Sequence, residues 1–197
     1  MKTFDFKAQL AMSDTDKVRT LVEKAMRQRF PDLLAIHKAH LENDKRGIDY
    51  WLEFPNGIME KLDVKVRTTD FAARGDGCNV ALETVANSTT GKPGWTVDAE
   101  KLTDWVLILW LDTGKTDLHH TRHLRAVTEK KKQHWLAHQK VAKQITKTAI
   151  GSYESESVFV SSRDIWANVY QEFSYAAKGL EPPASEYPDV GDGWGAA

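Results

Sequence analysis

The sequence predicts a mixed α/β fold, in which a central mixed β-sheet begins with an antiparallel hairpin and is flanked by helices. Two runs of alternating apolar residues, 48–54 and 58–67, surround the turn signal Pro55-Asn56-Gly57. The most apolar run, 105–111, is too short to span a bilayer and suits a buried strand. Apolar residues at helical spacing precede the hairpin and follow the later strands, so helices are expected on both sides of the sheet.

Each remaining element has its own local signal. A helix is expected after the N-cap cluster Ser13-Asp14-Thr15-Asp16, and it should end before Phe30-Pro31. Residues 32–41 are ambiguous and include a candidate second short helix. Further along, the pattern predicts strands at 79–85, 104–111, 118–121 and 157–160, and helices at 96–102, 122–148 and 165–176.

The chain length of 197 residues fits one domain with a full core. We expect a single domain at 1–178, with a core at about 14–125. A basic helical segment at 122–148 and a strand and helix within 157–176 would complete it. Residues 179–197 are rich in Pro, Gly and acids and are expected to form a tail.

Composition narrows the functional classes. The net charge of -1 argues against a generic nucleic-acid-coating protein. The single cysteine, Cys78, excludes an internal disulfide and any multi-cysteine zinc site. The N-terminus has no apolar signal core, and no apolar run is long enough to cross a membrane, so a cytoplasmic protein without a membrane partner is expected.

One segment, 115–147, is strongly basic. It carries nine Lys or Arg against two acids, and five of the seven histidines. Such asymmetry is typical of a polyanion-binding face and equally of a well-solvated helix. The candidate nucleic-acid contacts in it are Arg122, Arg125, Lys130, Lys131 and Lys132.

Parity predicts the register of the hairpin. The apolar residues of its two strands all have even numbers: Ile48, Tyr50, Leu52, Phe54, Ile58, Leu62, Val64 and Val66. Opposed residues of an antiparallel pair point to the same face, so burying both sets together requires paired positions with an even sum. A three-residue loop that pairs Phe54 with Ile58 meets this condition. It places Asp49 opposite Asp63, with Lys65 beside Asp63 on the same face.

Two opposed carboxylates repel each other, and a divalent cation between them would remove that penalty. The alternative is an ordinary solvated face. Glu53, Lys61 and Arg67 share that face, and the solvated reading explains them equally well.

The residues Gly47-Ile48-Asp49 and Asp63-Val64-Lys65, in this order of elements, resemble the PD-(D/E)XK (restriction-endonuclease-like) nuclease superfamily over about residues 14–125. The resemblance implies a Mg²⁺ ion, replaceable by Mn²⁺, held by Asp49, Asp63 and Val64, with Lys65 positioning or activating the attacking water. The sequence departs from the pattern at Ile48, where a proline is usual, and at Asp63, where glutamate is commoner. The tripeptide itself is weakly specific.

The resemblance also implies secondary site residues, each with an ordinary alternative. Glu23 lies on the first helix, where many relatives carry a further metal-proximal glutamate, but it is otherwise a plain solvent-facing acid. Glu83 on the third strand could complete the metal shell or pair with Arg67. Arg67 could contact a phosphate. Trp95 could stack on a base, although capping the core is the more ordinary role.

The resulting expectation is a Mg²⁺-dependent nuclease that hydrolyses DNA phosphodiester bonds and contacts the DNA backbone through its basic segment. Compact members of the superfamily are often phage or mobile-element enzymes, and many form homodimers; the oligomeric state here stays open. Two alternatives remain: a non-catalytic nucleic-acid-binding or inhibitor module on the same fold, and a protein-interaction domain.

Overall fold

The chain forms two β-sheets flanked by helices. The computed structural model describes residues 15–44, 46–75, 77, 79–148 and 151–173. Within them the mixed α/β class is confirmed. The predicted tail at 179–197 lies outside the described residues.

The helices are α1 (Asp16–Arg29), α2 (Thr121–His138) and α3 (Ser162–Phe173), with a single helical turn at Leu41–Asp44. The strands are β1 (Ala35–Lys38), β2 (Tyr50–Glu53), β3 (Met59–Arg67), β4 (Val80–Asn87), β5 (Lys92–Pro93), β6 (Trp105–Trp110), β7 (Thr116–His120), β8 (Val141–Thr148) and β9 (Gly151–Val160). None of the described helices is long and apolar enough to cross a membrane.

The first sheet is mixed and has the strand order β1-β2-β3-β6-β7. Strands β3 and β6 are parallel, while the other three pairs are antiparallel. The second sheet, β5-β4-β9-β8, is antiparallel throughout. The hairpin β2–β3 therefore lies in the middle of the first sheet, with β3 as its central strand.

The hairpin register agrees with the parity prediction. Tyr50 is the partner of Leu62, and the Phe54 N–H donates to the Ile58 carbonyl at 2.9 Å. Asn56 in the connecting turn has a positive φ of 64°, a conformation that asparagine tolerates better than most residues. The apolar sets of both strands consequently face the same side of the sheet.

That side forms the first core with α1. Thr15 is the N-cap of helix α1, and its side chain accepts from the Val18 N–H, as the N-cap cluster predicted. Its buried residues Val18, Val22 and Met26 pack against Leu62 and Leu107 of the sheet. The even-numbered residues of β3 thus face α1, and the odd-numbered residues face away from it.

The opposite face of the first sheet contributes to a second core. Val106 and Ile108 of β6 pack there with Val80 and Leu82 of the second sheet. Helices α2 and α3 complete this core with the buried side chains Leu124, Val127, Trp135, Ile165 and Val169. The odd-numbered side chains of β3 therefore point toward the second sheet.

Four local predictions are wrong or incomplete. The long helix expected at 122–148 ends at His138, and 141–148 forms β8 instead. Residues 96–102, expected as a short helix, form turns without helix. The ambiguous segment at 32–41 contains β1 rather than a helix. The strand expected at 157–160 is the end of the longer β9. In each case pairing with a distant strand or a loop contact overrides weak local preference.

Candidate active site

Three charged side chains, Asp63, Lys65 and Arg67, project from the odd-numbered face of β3. Their partners in the parallel strand β6 are Val106, Ile108 and Trp110, which belong to the second core. Arg67 reaches the second sheet directly, since its Nη2 donates to the Ala81 carbonyl at 3.3 Å. The charged row therefore lies between the two sheets and is not the solvated outer face of a hairpin.

Asp63 and Lys65 form an ion pair inside this interface. The Lys65 Nζ lies 2.8 Å from the Asp63 Oδ2, and Asp63 is only 4% exposed. Burial acts to lower the pKa of the Lys65 ammonium, but Asp63 and Asp49 outweigh it and raise that pKa above its ordinary value. Lys65 is therefore a cation at neutral pH.

Asp49 joins the pair at the end of β2. The paired ladder stops at Tyr50–Leu62, and beyond it the Asp49 Oδ2 accepts the Val64 N–H at 2.7 Å. The carboxylate takes up a strand N–H that the shortened β2 leaves unpaired. Burial and the neighbouring Asp63 carboxylate raise the pKa of the Asp49 carboxyl to about 7, despite the opposing effects of Val64, Lys65 and Lys38. Asp49 and Asp63 are thus brought together as predicted, although Asp49 lies outside the ladder.

The raised pKa of Asp49 makes its ionised form costly to the fold. Its value of about 7 exceeds the ordinary 3.8, so the penalty grows as pH rises from 4 to 7 and stays constant above. We expect Asp49→Asn, without divalent cations, to raise the free energy of unfolding at pH 8 by on the order of 2 kcal/mol. The gain should vanish near pH 4. Urea unfolding at the two pH values checks this, with Glu23→Gln as an exposed control. An Asp49→Asn variant less stable than wild type at pH 8 would contradict the burial argument.

Glu83 lies across the interface on β4. Its Oε2 accepts the Trp95 N–H at 3.2 Å. Burial raises the pKa of Glu83, while the Trp95 N–H and the nearby Lys65, Arg67 and Lys101 oppose that rise. Glu83 therefore interacts electrostatically with Lys65 and Arg67 of β3, as the sequence indicated.

Trp95 covers the lysine of the site. Its ring centroid lies 5.1 Å from the Lys65 Nζ, and the side chain packs against the second core. Its neighbour Gly94 fits closely against β4, because a Cβ at that position would lie 2.0 Å from the Glu83 carbonyl oxygen. The core-capping role is the one that the structure supports for Trp95.

Two lysines at the site were missed by the sequence interpretation. Lys101 runs beside Gly47: a Cβ on Gly47 would lie 3.1 Å from the Lys101 Cδ and 3.7 Å from the Asp63 Oδ2. Lys38 on β1 acts on the Asp49 charge, and its Nζ lies 4.7 Å from the centroid of the Tyr50 ring. Neither carries a local motif, so only long-range contacts reveal them. The one indication in the sequence was Gly47 itself, because a glycine often marks a place where another side chain packs closely against the backbone. In the structure Gly47 has a positive φ of 77°.

Glu23 lies apart from this cluster. It is on α1, which packs against the even-numbered face of the first sheet, and its exposed side chain pairs with Arg27 at 3.0 Å. The row of Asp63 and Lys65 is on the other face. The structure does not bring Glu23 to the site.

The basic residues of α2 have different roles. The Arg125 Nη2 donates to the carbonyls of Asp98 at 2.8 Å and Lys101 at 3.4 Å, so it anchors the loop that carries Lys101. Lys130 pairs with Glu172 of α3. Arg122 is exposed, while Lys131 and Lys132 are half-buried. Arg122 is the member of this set best placed to meet an external anion.

The donor set at the site is small. Among the residues that the structure describes, no three or more His, Cys, Asp or Glu side chains are grouped so that they could hold a metal ion. Two neighbouring carboxylates, Asp49 and Asp63, are present, and Mg²⁺ is commonly bound by one or two carboxylates together with water and substrate phosphate. The residues therefore suit Mg²⁺ in the presence of a phosphate ligand better than a fully protein-bound cation.

Comparison with known proteins adds no relative. No protein-family model matches the chain, and no match is found among curated proteins or solved structures.

Proposed function

We propose that the protein is a Mg²⁺-dependent nuclease that hydrolyses DNA phosphodiester bonds at Asp49, Asp63 and Lys65. The observation that carries the proposal is the buried pairing of Asp63 with Lys65 next to a second carboxyl, Asp49, whose pKa is about 7. Perturbed ionisable groups that gather around a specific partner are typical of functional sites. The resemblance of these residues to the PD-(D/E)XK pattern supports the same chemistry.

Asp49, Asp63 and Lys65 would have different roles in the reaction. Asp49 and Asp63 would hold the cation. When bound, Mg²⁺ supplies charge neutralisation at the phosphate and lowers the pKa of a coordinated water. Lys65, which stays protonated, stabilises the negative charge that develops on the phosphate oxygens. A protonated ammonium cannot accept a proton, so Lys65 acts as an electrostatic group and not as the general base.

Substrate contacts follow from the remaining positive charges. Arg122 is exposed at the start of α2, and Lys101 lies beside Asp63. Exposed cations attract the DNA backbone in a salt-dependent manner. The proposal includes two further points that rest on the resemblance alone. The protein would have a phage or mobile-element origin, and it would form a homodimer that cuts both strands.

A cleavage assay tests the proposal. Purified protein is incubated with supercoiled plasmid, linear duplex, branched and single-stranded DNA in Mg²⁺ or Mn²⁺, with EDTA as the control. We expect metal-dependent nicking or cutting of at least one substrate. Absence of cleavage on all four, in both metals, would contradict the enzyme proposal.

The second candidate is a non-catalytic nucleic-acid-binding module on the same fold. The observation in its favour is the direct ion pair between the Lys65 ammonium and the Asp63 carboxylate, which neutralises that carboxylate. This candidate predicts DNA binding that weakens steeply with salt but is indifferent to Mg²⁺. Electrophoretic mobility shifts over a salt series, with and without Mg²⁺, separate the two.

A further inference from the structure

A pocket of about 170 Å³ lies at the end of β3, beyond the charged row. It is lined by Arg67, Thr68, Thr69, Phe71 and Asn79, together with Ala81 and Phe159 of the second sheet. Arg67 follows Lys65 by two residues on the same strand face, so their Cα atoms are about 7 Å apart. The pocket is therefore adjacent to the proposed site of cleavage.

The size of the pocket suits one small ring. A protein cavity of about 150 Å³ accommodates a benzene molecule. At about 170 Å³, this pocket has room for a single six-membered ring.

Arg67 has hydrogen-bonding capacity that the protein leaves unused. A guanidinium group carries five N–H donors. The Nη2 donates one N–H to the Ala81 carbonyl. The Nε, which has no hydrogen-bond partner in the described part of the chain, is buried out of reach of a ligand, so the other N–H groups of this pocket-lining guanidinium are the ones a ligand can meet. An arginine of this kind in a pocket wall is suited to an acceptor on a ligand.

The surrounding charges favour a neutral acceptor over a free phosphate. The Glu83 carboxylate acts electrostatically on Arg67. Asp70, in contrast, accepts from the Asn79 side chain at 3.3 Å and is paired with Lys115 at 3.7 Å. The Glu83 carboxylate would repel an anion bound to Arg67. A ring carbonyl oxygen meets the arginine without that repulsion.

Aromatic rings complete the wall. Phe71 is 39% exposed, so its ring is accessible at the pocket wall. The face of Phe159 carries the Lys140 Nζ at 5.8 Å from its centroid. Exposed aromatic rings beside cations are the means by which proteins hold unpaired bases.

From these features we propose that the pocket binds one pyrimidine base of the substrate strand, next to the phosphate that is cleaved. The base stacks on Phe71, and a ring carbonyl accepts from Arg67. Adenine offers only ring nitrogens as acceptors and has a second ring, so we expect it to bind less tightly. This proposal rests on the proposed nuclease function, which supplies the nucleic-acid strand.

Binding of short oligonucleotides in EDTA tests the pocket without cleavage. Fluorescence anisotropy compares labelled dT6 with dA6 on wild type, Arg67→Met, Phe71→Leu and the control Ile58→Ala, which trims an exposed side chain at the other end of the hairpin strand. We expect wild type and the control to bind dT6 on the order of tenfold more tightly than dA6, as one hydrogen bond from a charged group to a ring carbonyl provides. Both pocket variants should lose most of this preference.

The outcomes separate the two proposals. Equal affinity for dT6 and dA6 in wild type, or a preference that survives in both pocket variants, overturns the pocket proposal while cleavage activity stands. Absence of binding to either oligonucleotide together with absence of cleavage overturns the nuclease function itself. Because Phe71 is exposed, Phe71→Leu keeps the test valid if Arg67→Met fails to fold.

Discussion

Replacing Lys65 with methionine is expected to lower the rate of Mg²⁺-dependent DNA cleavage by on the order of 10³-fold, as loss of one preorganised electrostatic donor does in other enzymes. Methionine keeps the apolar stem that packs near Trp95 but removes the ammonium 2.8 Å from Asp63. The loss should appear in kcat more than in KM, because the charge acts where negative charge develops.

The matched control for Lys65 is Lys61→Met. Lys61 lies on the same strand and the same face, but its Nζ pairs with Asp104 at 3.4 Å, away from the acidic pair. We expect this variant to keep cleavage within a few-fold of wild type. Near-UV circular dichroism shows whether both variants are folded. A folded Lys65→Met protein that cleaves as fast as Lys61→Met would remove Lys65 from the mechanism.

The second large effect is on stability and is expected at Asp117. This carboxylate is 3% exposed and lies between β7 and α3. It accepts from the Trp166 Nε1 at 2.9 Å and from the Ser162 hydroxyl, and its Oδ2 lies 2.8 Å from the His119 Nε2. Removing it leaves the buried His119 and the half-buried Ser162 and Trp166 without their shared partner.

We expect Asp117→Ala to lower the free energy of unfolding at pH 7 by about 3–5 kcal/mol, the usual cost of breaking a buried polar network from one side. Burial acts to raise the pKa of Asp117, but His119, Ser162 and Trp166 outweigh it and hold that pKa below its ordinary value. The stability from this network is therefore present above pH 4 and is lost as pH falls below it.

Urea unfolding over a pH series measures both features of the Asp117 network. Asp164→Ala, at the exposed first turn of α3, is the control and should cost less than about 1 kcal/mol. The gap between wild type and Asp117→Ala should narrow as pH falls below 4. A difference under about 1 kcal/mol at pH 7 would show that the network contributes little net stability.

Alternation of apolar residues predicted the centre of the fold well. The even-numbered apolar set of β2 and β3 excluded every odd-sum register, which would have split the apolar faces, and the three-residue loop then predicted the pairing of Tyr50 with Leu62. The same parity placed Asp63, Lys65 and Arg67 on one face. What it could not show is that this face lies against a second sheet, because that packing depends on strands β4 and β9 far along the chain.

The errors arise where local signals are weak. The segment 141–148, VAKQITKT, has lysines and alanine that suit a helix, and only its pairing with β9 makes it a strand. Residues 96–102 are held by the Arg125 contacts with the Asp98 and Lys101 carbonyls, so no local periodicity governs them. Lys38 and Lys101 reach the site through contacts between residues that are far apart in sequence, so no local motif predicted them.

The position of Asp49 just outside the strand ladder has a chemical consequence. Strand β2 begins at Tyr50, and the freed carboxylate accepts the Val64 N–H while remaining beside Asp63. That arrangement concentrates two buried carboxyls at one point and raises the pKa of Asp49 to about 7. Such a pair is costly for a purely structural hairpin and suited to a shared cation.

The most direct test of this account is a crystal structure of the protein soaked with Mn²⁺, read through anomalous difference density. We predict one Mn²⁺ ion with an oxygen of Asp49 and an oxygen of Asp63 both within about 2.5 Å of it. The Lys65 Nζ should move away from the Asp63 Oδ2 to make room. Density for Mn²⁺ elsewhere, or none at the two carboxylates at a concentration that supports cleavage, would contradict the metal site on which the proposed function depends.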